Sequence, residues 1–530
     1  MRNVIRRALS ILLATLVILI QVPLQASAAT ATNVTYLDTN GTEQTCNSAT
    51  VVTSSDTTWS SGWYVVNSDV TNNNRIEVSG DVNLILTDGC TLTASSGIHV
   101  YSTNSLTIYA QSTGDNMGSL VANGGSSKAG IGSNYVGSYT GETGGTITIN
   151  GGNITATADA SVGDPAAIGG GGYCTNPTVI INGGNVTATG SQKGIGTGAY
   201  GTTGTIQING GTVTANGIGT GLYNASATTT ISGNSVVFST ENNNGYINTT
   251  NQSSWNGVIF LGESGSVYGT VTLTSDLTIP SGYTLVVPDG TSLTIAAGVT
   301  LTNNGTITIE DGGTFTNSGT FTNNGTINIT GGFVKSSSSG LVSSGSGTIT
   351  ITGGCFVTGD ISAQTVYSKS PASGYYVIPN TEASTMSTYP YLVSSTIPVF
   401  YSSATAEKVY DGTTAFDEDD IDITFEDING DEATGVDYTA TGNTSSADAG
   451  TYTDGLTFEA SVGTGYILLD TDYSVISTLQ KTITASITQK ELTISSVTVD
   501  GKVYDGTTAV DSSAIGDVTF TDGTKCIRLE

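Results

Sequence analysis

The sequence predicts an all-β protein, a parallel β-helix (solenoid) that gives way near residue 397 to smaller β-domains. Three observations lead there. Short strands alternating Ile or Val with Thr recur every 20–32 residues, separated by Asn-Gly corners. No helical periodicity of useful length appears beyond residue 28. In the C-terminal part an eight-residue phrase returns 94 residues later. Periods of this length, built from alternating strands, are the pattern of a coil that stacks on itself. An ordinary antiparallel sandwich is the rival architecture.

Residues 1–28 read as a secretory signal. Arg2, Arg6 and Arg7 make a basic start, 8–22 is an apolar run, and Ala26-Ser27-Ala28 supplies a small-x-small cleavage pattern. The run is short for a membrane span, so the expectation is export, an extracellular or cell-surface location, and no membrane insertion once the signal is removed. The 530 residues carry 43 Asp and Glu against 14 Lys and Arg, a formal charge of −29. That balance argues against nucleic acid and anionic membranes as partners, because phosphates need basic side chains to neutralise them.

Residues 29–122 show the alternation less regularly, in Ile76/Val78, Val82/Leu84/Leu86, Ile98/Val100 and Leu106/Ile108. They are expected to form a cap and the first coils, since a solenoid needs its open end covered. Residues 123–396 are the Gly/Asn/Thr-rich solenoid proper. Ile147/Ile149, Val179/Ile181 and Ile206/Ile208 are each followed by Asn-Gly-Gly and a second short strand. Alternation sends Ile147 and Ile149 to one face and Thr146 and Thr148 to the other. Stacked coils then bury an aliphatic column, the Asn corners hydrogen-bond along the stack, and the glycines accept the positive φ of the corners. Asn303-Asn304-Gly305-Thr306-Ile307 returns 20 residues on, at Asn323 to Ile327.

Between the strands an Ile-Gly pair is followed each time by a tyrosine: Tyr135, Tyr173, Tyr200 and Tyr223. Side by side on successive coils these four form a ladder, and aromatic rings edged by Asn and Thr suit sugars. They are the candidate ligand-binding residues. The competing expectation is packing over the edge of the core, with the hydroxyl in water. Trp59, Trp63 and Trp255 carry the same two readings, Trp63 looking more like part of a strand in the cap.

No catalytic residue is assigned, and the chain is read as non-enzymatic. A glycosidase needs paired carboxylates, and a lyase of this fold needs a base beside an acidic cluster. The bases between 29 and 396 are Arg75, Lys128, Lys193, Lys335 and Lys369, and the acids there are thinly spread. His99 is the lone histidine; between Ile98 and Val100 it is expected to point outward from a strand. The Gly-Ile-Gly phrases lack the Gly-Lys-Ser/Thr and helix of a phosphate loop. Cys46, Cys90, Cys174, Cys355 and Cys526 are odd in number and widely spaced, which argues against a disulfide scaffold or a zinc site. Cys46 with Cys90 is the one candidate bridge. No cofactor or metal is assigned. The acidic run from Asp417 to Asp422 and the stretch Asp427 to Glu432 offer oxygens for calcium without EF-hand spacing, so solvated loops are expected.

From Ile397 onward 24 of the acids fall within 134 residues. Here Lys408-Val409-Tyr410-Asp411-Gly412-Thr413-Thr414-Ala415 recurs at Lys502 to Ala509. The phrase resembles the YDG repeat of bacterial surface proteins, and Asp448-Ala449-Gly450-Thr451-Tyr452 is similar to a turn of bacterial Ig-like repeats. The resemblance implies small β-sandwich-like domains acting as an extracellular stalk: one repeat over 397–490 and a truncated second over 491–530. The Gly-rich region is similar, more loosely, to β-helical surface proteins of gut-type Gram-positive bacteria, some of them carbohydrate-binding. The expected function is a secreted adhesin-like protein whose solenoid face meets extracellular glycans of host or cell wall. The alternatives are a structural spacer and a polysaccharide-active enzyme.

Overall fold

The structure is a computed structural model, and it describes residues 29–135, 137, 141–159, 163–191, 193–223, 225–240, 247, 253–336, 341–357, 371–510, 515–521, 523 and 525–526. Among these there is no α-helix; the chain is strand after strand. It divides into two compact units, Met1–Thr358 and Gly359–Glu530.

The first unit winds as expected. One coil consists of Thr146–Ile149, Asn153–Asp159 and Ile168–Gly169. Each strand pairs, parallel and in register, with its counterpart one coil on: Thr146 with Thr178, Thr178 with Thr205, Thr205 with Thr228. Three columns of strands result. In-register stacking follows from the period-2 pattern, because a slip of one residue would turn every Ile outward. The inward residues Ile147, Val179, Ile206, Ile154, Val186, Val213, Ile168 and Ile195 are all buried in one core.

Asparagine corners tie the coils along the axis. Asn182 Nδ2 donates to Asn150 Oδ1 at 2.8 Å, Asn209 Nδ2 to Asn182 Oδ1 at 2.9 Å, and Ser232 Oγ to Asn209 Oδ1 at 2.9 Å. A second such pair joins Asn185 to Asn153 at 3.1 Å. Each rung satisfies amide groups that the tight corner would leave without partners.

At the start of the stack, Trp59 is fully buried in the same core, its Nε1 donating to Asp56 at 2.9 Å. Trp255 is buried in that core as well. Both tryptophans therefore go to packing. The antiparallel hairpin Val34–Leu37 with Glu43–Cys46 lies over the outward-facing Ile85 and Val65, closing a small second cluster. Trp63, half-buried, completes an aromatic group there with Tyr36 (ring centroids 4.8 Å) and Tyr109 (5.4 Å). Cys46 belongs to this cluster whereas Cys90 packs against the main core, and both are free thiols, so the candidate bridge between them is not formed.

Midway the chain reverses. Gly257–Leu261 continues the second column parallel to Val236–Ser239, but the next strand, Ser264–Tyr268, pairs antiparallel to it. Gly262-Glu263 is a two-residue turn with positive φ at Gly262 (65°) and not at Glu263, the pattern of a type II′ hairpin. From Ser264–Tyr268 the sheet continues in parallel through Thr284–Val287, Thr306–Ile309, Thr326–Ile329 and Thr348–Ile351. One thirteen-stranded sheet thus runs through both halves.

The core changes face at the same place. Paired residues share a face, so Val237, Ile259, Ser266 and Val286 lie on one side, and Val236, Val258 and Val267 on the other. Val237 and Ile259 belong to the first core. Beyond the hairpin the buried residues are Val267, Leu285, Val287, Ile307 and Ile309, on the opposite side. Strand direction and core face invert together while the stack advances one way along the sheet, so both solenoids wind with the same hand. Inverting direction alone would have forced crossovers of opposite hand, which parallel β connections strongly disfavour. Gly257–Leu261 is accordingly buried on both faces, with Val258, Ile259 and Phe260 all within 1% of full burial.

The second solenoid has shorter coils, for example Thr300–Asn303, Thr306–Ile309 and Thr314–Asn317. Asn303 and Asn323 point inward at the corners. Asn303 Nδ2 donates to Asn323 Oδ1 at 2.8 Å and to the Thr326 carbonyl at 2.9 Å.

In the second unit a seven-stranded sheet begins with the long strand Ile397–Val409, at the residue where the composition changes. Strands from one edge to the other put Phe416, Ile421, Phe425, Phe458, Leu468 and Ile487 into a single core. A sheet that fills one core from a single face must curl over it. The strands Ile494–Val499, Ile515–Phe520 and Lys525–Cys526 form a separate three-stranded sheet.

Candidate functional site

The four tyrosines singled out by spacing come together. Tyr173 and Tyr200 stack with ring centroids 4.5 Å apart and planes within 5°, and Tyr200 and Tyr223 at 4.7 Å and 15°. Tyr135 joins the end of the row, tilted, 6.1 Å from Tyr173. Tyr200 is 41% and Tyr223 55% exposed.

Loop geometry sets this row. The Ile-Gly pairs stack as a third column, Ile98-His99 below Ile131-Gly132, then Ile168-Gly169, Ile195-Gly196 and Ile218-Gly219. Their glycines have φ from 108° to 142°, and a Cβ on Gly132, Gly169 or Gly196 would overlap the carbonyl oxygen of the glycine one coil on. His99 holds the first position of the column, and from Gly132 to Gly196 each following position is open only to glycine. Four residues after it, Tyr173, Tyr200 and Tyr223 adopt φ of 58°, 57° and 61°. A non-glycine residue in this left-handed region costs about 1–2 kcal/mol. Ring stacking returns roughly 0.5–1.5 kcal/mol per pair. The backbone also holds the register, the Tyr173 N–H donating to the Ala199 carbonyl at 2.7 Å and the Tyr200 N–H to Leu222 at 2.9 Å. The recurrence of one strained conformation on three successive coils marks this edge as the candidate site.

Stacking also limits what the row can do. The inner ring faces lie against one another, so the ring edge and hydroxyl are what Tyr200, 41% exposed, turns to solvent.

At the Tyr135 end lies a polar cluster that the sequence did not suggest. His99 does point away from the core, as alternation requires, but it is only 5% exposed, with Tyr101, Asn134 and Glu142 against it. Its Nε2 is 3.0 Å from Glu142 Oε2 and 3.1 Å from Asn134 Nδ2, and its ring stacks on Tyr101 at 4.3 Å. Glu77 lies 3.7 Å from Nδ1. Beside it Arg75 donates through Nη1 to the carbonyls of Ser96 (2.9 Å) and Ala129 (3.0 Å), and through Nη2 to Gly132 (3.0 Å). Burial lowers the Arg75 guanidinium to about 10, against the pull of Glu142 and Glu77. Burial would raise the Glu142 carboxyl, but His99, the Asn134 N–H and Arg75 together hold it below its ordinary value. The cluster fastens Asn134 and Glu142 to the first coils. Lys193 is also buried, at 2% exposure, which lowers its amine to about 8.

The repeated Lys-Val-Tyr-Asp-Gly-Thr-Thr-Ala phrase is a lysine-clamped loop. Lys408 Nζ donates to Asp411 Oδ1 (3.0 Å), Thr413 Oγ1 (2.9 Å) and the Ala415 carbonyl (2.6 Å), and lies 5.0 Å from the Phe416 ring centre. Lys502 repeats these bonds with Asp505, Thr507 and Ala509. The acidic stretches form turns: Asp417 Oδ1 accepts from the Asp419 N–H, and Asp427 Oδ1 from the N–H groups of Asn429 and Asp431.

Fold and site together define an all-β repeat protein of the solenoid class with an aromatic edge. Comparison with known protein families, with curated proteins and with solved structures finds no match. Among the described residues no helix is long and apolar enough to cross a membrane.

Proposed function

We propose that the protein is a secreted, non-catalytic, adhesin-like surface protein that binds extracellular glycans of host or cell wall along the tyrosine row, with the YDG-like repeats as stalk. The observation that carries this reading is the strained, solvent-facing stack of Tyr173, Tyr200 and Tyr223. Backbone strain repeated in register favours a role at the surface over packing alone. Weak contacts at each coil gain strength through repetition.

A second reading, a spacer without a ligand, is supported by the mutual stacking of the rings, which satisfies their faces internally. An enzyme would draw on the Arg75–Glu77–His99–Glu142 cluster, but His99 there is covered and its Nε2 is engaged with Glu142 and Asn134, which favours a structural role for it.

The test is a glycan and mucin array probed with the purified full chain, with and without calcium. Saturable binding that disappears on replacing Tyr173, Tyr200 and Tyr223 with alanine is the expected result. A blank array with a folded protein leaves the spacer.

A further inference from the structure

We infer that the occupant of the tyrosine row is an uncharged or cationic polysaccharide chain lying along the solenoid axis, about one sugar per coil, read by hydroxyl edges. The inference rests on the glycan-binding reading above and narrows it in three respects.

Orientation comes from the spacing. The Tyr173–Tyr200 and Tyr200–Tyr223 intervals, 4.5 and 4.7 Å, are the strand repeat of the sheet beneath. A sugar unit in an extended, β-linked chain advances by a closely similar distance. A chain running along the axis therefore presents a hydroxyl-bearing edge at each coil, successive sugars turning alternate edges to the row, whereas one lying across the row meets a single tyrosine.

Contact mode comes from the stacking. Carbohydrate sites commonly use an open aromatic face, but both faces of Tyr200 are covered, by Tyr173 and Tyr223. The hydroxyl is the group left to donate and accept.

Charge comes from the neighbours. Residues 29–357 contain only four bases. Arg75 is engaged with three backbone carbonyls and Lys193 is buried, while Lys335 lies in the second solenoid. Lys128 is exposed, beside the Tyr135 end. Two acidic residues lie next to row residues. The Asn134 N–H, beside Tyr135, donates to the Glu142 carboxylate, which His99 also engages. The Ala199 N–H, beside Tyr200, donates to the backbone carbonyl of Asp164, whose carboxylate accepts from Ser191. A uronate or sulfated chain would bring its charges to an edge of residues 29–357, whose 17 acids and four bases give a formal charge of 4 − 17 = −13.

Titration of the full chain with oligosaccharides from dimer to hexamer, in a neutral β-glucan series, a glucosamine series and a galacturonate series, separates the outcomes. Affinity should rise about tenfold or more from dimer to tetramer in the first or second series and then level off. Galacturonates should bind at least tenfold more weakly. Tyr200→Phe keeps the stack and removes the hydroxyl, and should weaken binding about threefold to tenfold. Affinity independent of length overturns the axial path. Unchanged binding by Tyr200→Phe overturns edge readout, and equal binding of galacturonates overturns the charge selection; each leaves glycan binding standing. Failure of every glycan to bind removes the parent reading as well.

Discussion

Val258 and Ile259 are consecutive residues of one strand, and they face two different cores. Ile259 packs with Val237 in the first solenoid, while Val258 pairs with Val267 on the face that becomes the interior of the second. Ile259→Ala and Val258→Ala should each cost roughly 1–4 kcal/mol. Hydrogen exchange should tell them apart. Protection is expected to fall first around Thr212–Ala215 in the former and around Thr284–Val287 in the latter. Identical exchange maps would show that the two cores unfold as one.

The glycine column makes a sharper prediction. Gly196→Ala places a methyl group on the Gly219 carbonyl at a φ of 142°, with no room to move. A loss of about 3 kcal/mol or more is expected. Gly298→Ala has positive φ (82°) but open space around its Cβ, and should cost only about 1 kcal/mol. Denaturant unfolding of the two variants measures the difference, and equal losses would mean that strain, not overlap, governs the column.

Burial of Lys193 gives a pH dependence of definite sign. Its folded amine titrates at about 8, below the ordinary 10.5, so between these values the unfolded chain binds the extra proton. Stability should therefore rise with pH from about 8 to 10.5 by this contribution. Lys193→Met should lose that part of the slope. The difference between the two melting-temperature profiles isolates it from other groups titrating there.

Asp411 acts in the opposite direction. The Thr413 N–H, then Lys408, hold its carboxyl down to about 2. Its contribution is complete above the ordinary carboxylate value and is lost as pH falls from about 4 towards 2. Asp411→Asn should flatten the acid limb of unfolding for the second unit, leaving the alkaline limb unchanged. Lys408→Met should destabilise that unit at pH 7 by about 1.5–3 kcal/mol, since charge-assisted bonds to Asp411 and to the Ala415 carbonyl are lost.

Much of this was legible in the residues. Alternation around Ile147 and Ile149 gave the strands and their inner face, and the spacing of Asn150, Asn182 and Asn209 gave the axial rungs. The tyrosine row followed from the Ile-Gly phrases. The left-handed backbone of Tyr173, Tyr200 and Tyr223 did not, because tyrosine carries no local preference for it; only stacking between coils supports it. His99 was legible as outward-facing, but not as covered, since the covering Glu142 lies 43 residues away. The reversal at Gly262 had a signal that went unread. Val258 to Leu261 is an unbroken apolar run, and Val236 to Phe238 beside it is another, where the earlier strands of the column alternate; such runs mark strands buried on both faces. The lysine clamp was visible as a repeated phrase, yet nothing in the phrase announces that the amine folds back on it.

The shared sheet also bears on how such a chain changes in descent. On either side of Gly262 a coil can be gained or lost by duplication, because each rung copies the one beneath it. The hairpin cannot arise by such steps. A slip of one residue would turn Ile259 out of its core without reversing anything. Coil number can thus change on either side without touching the joint, whereas the joint itself tolerates no change of register.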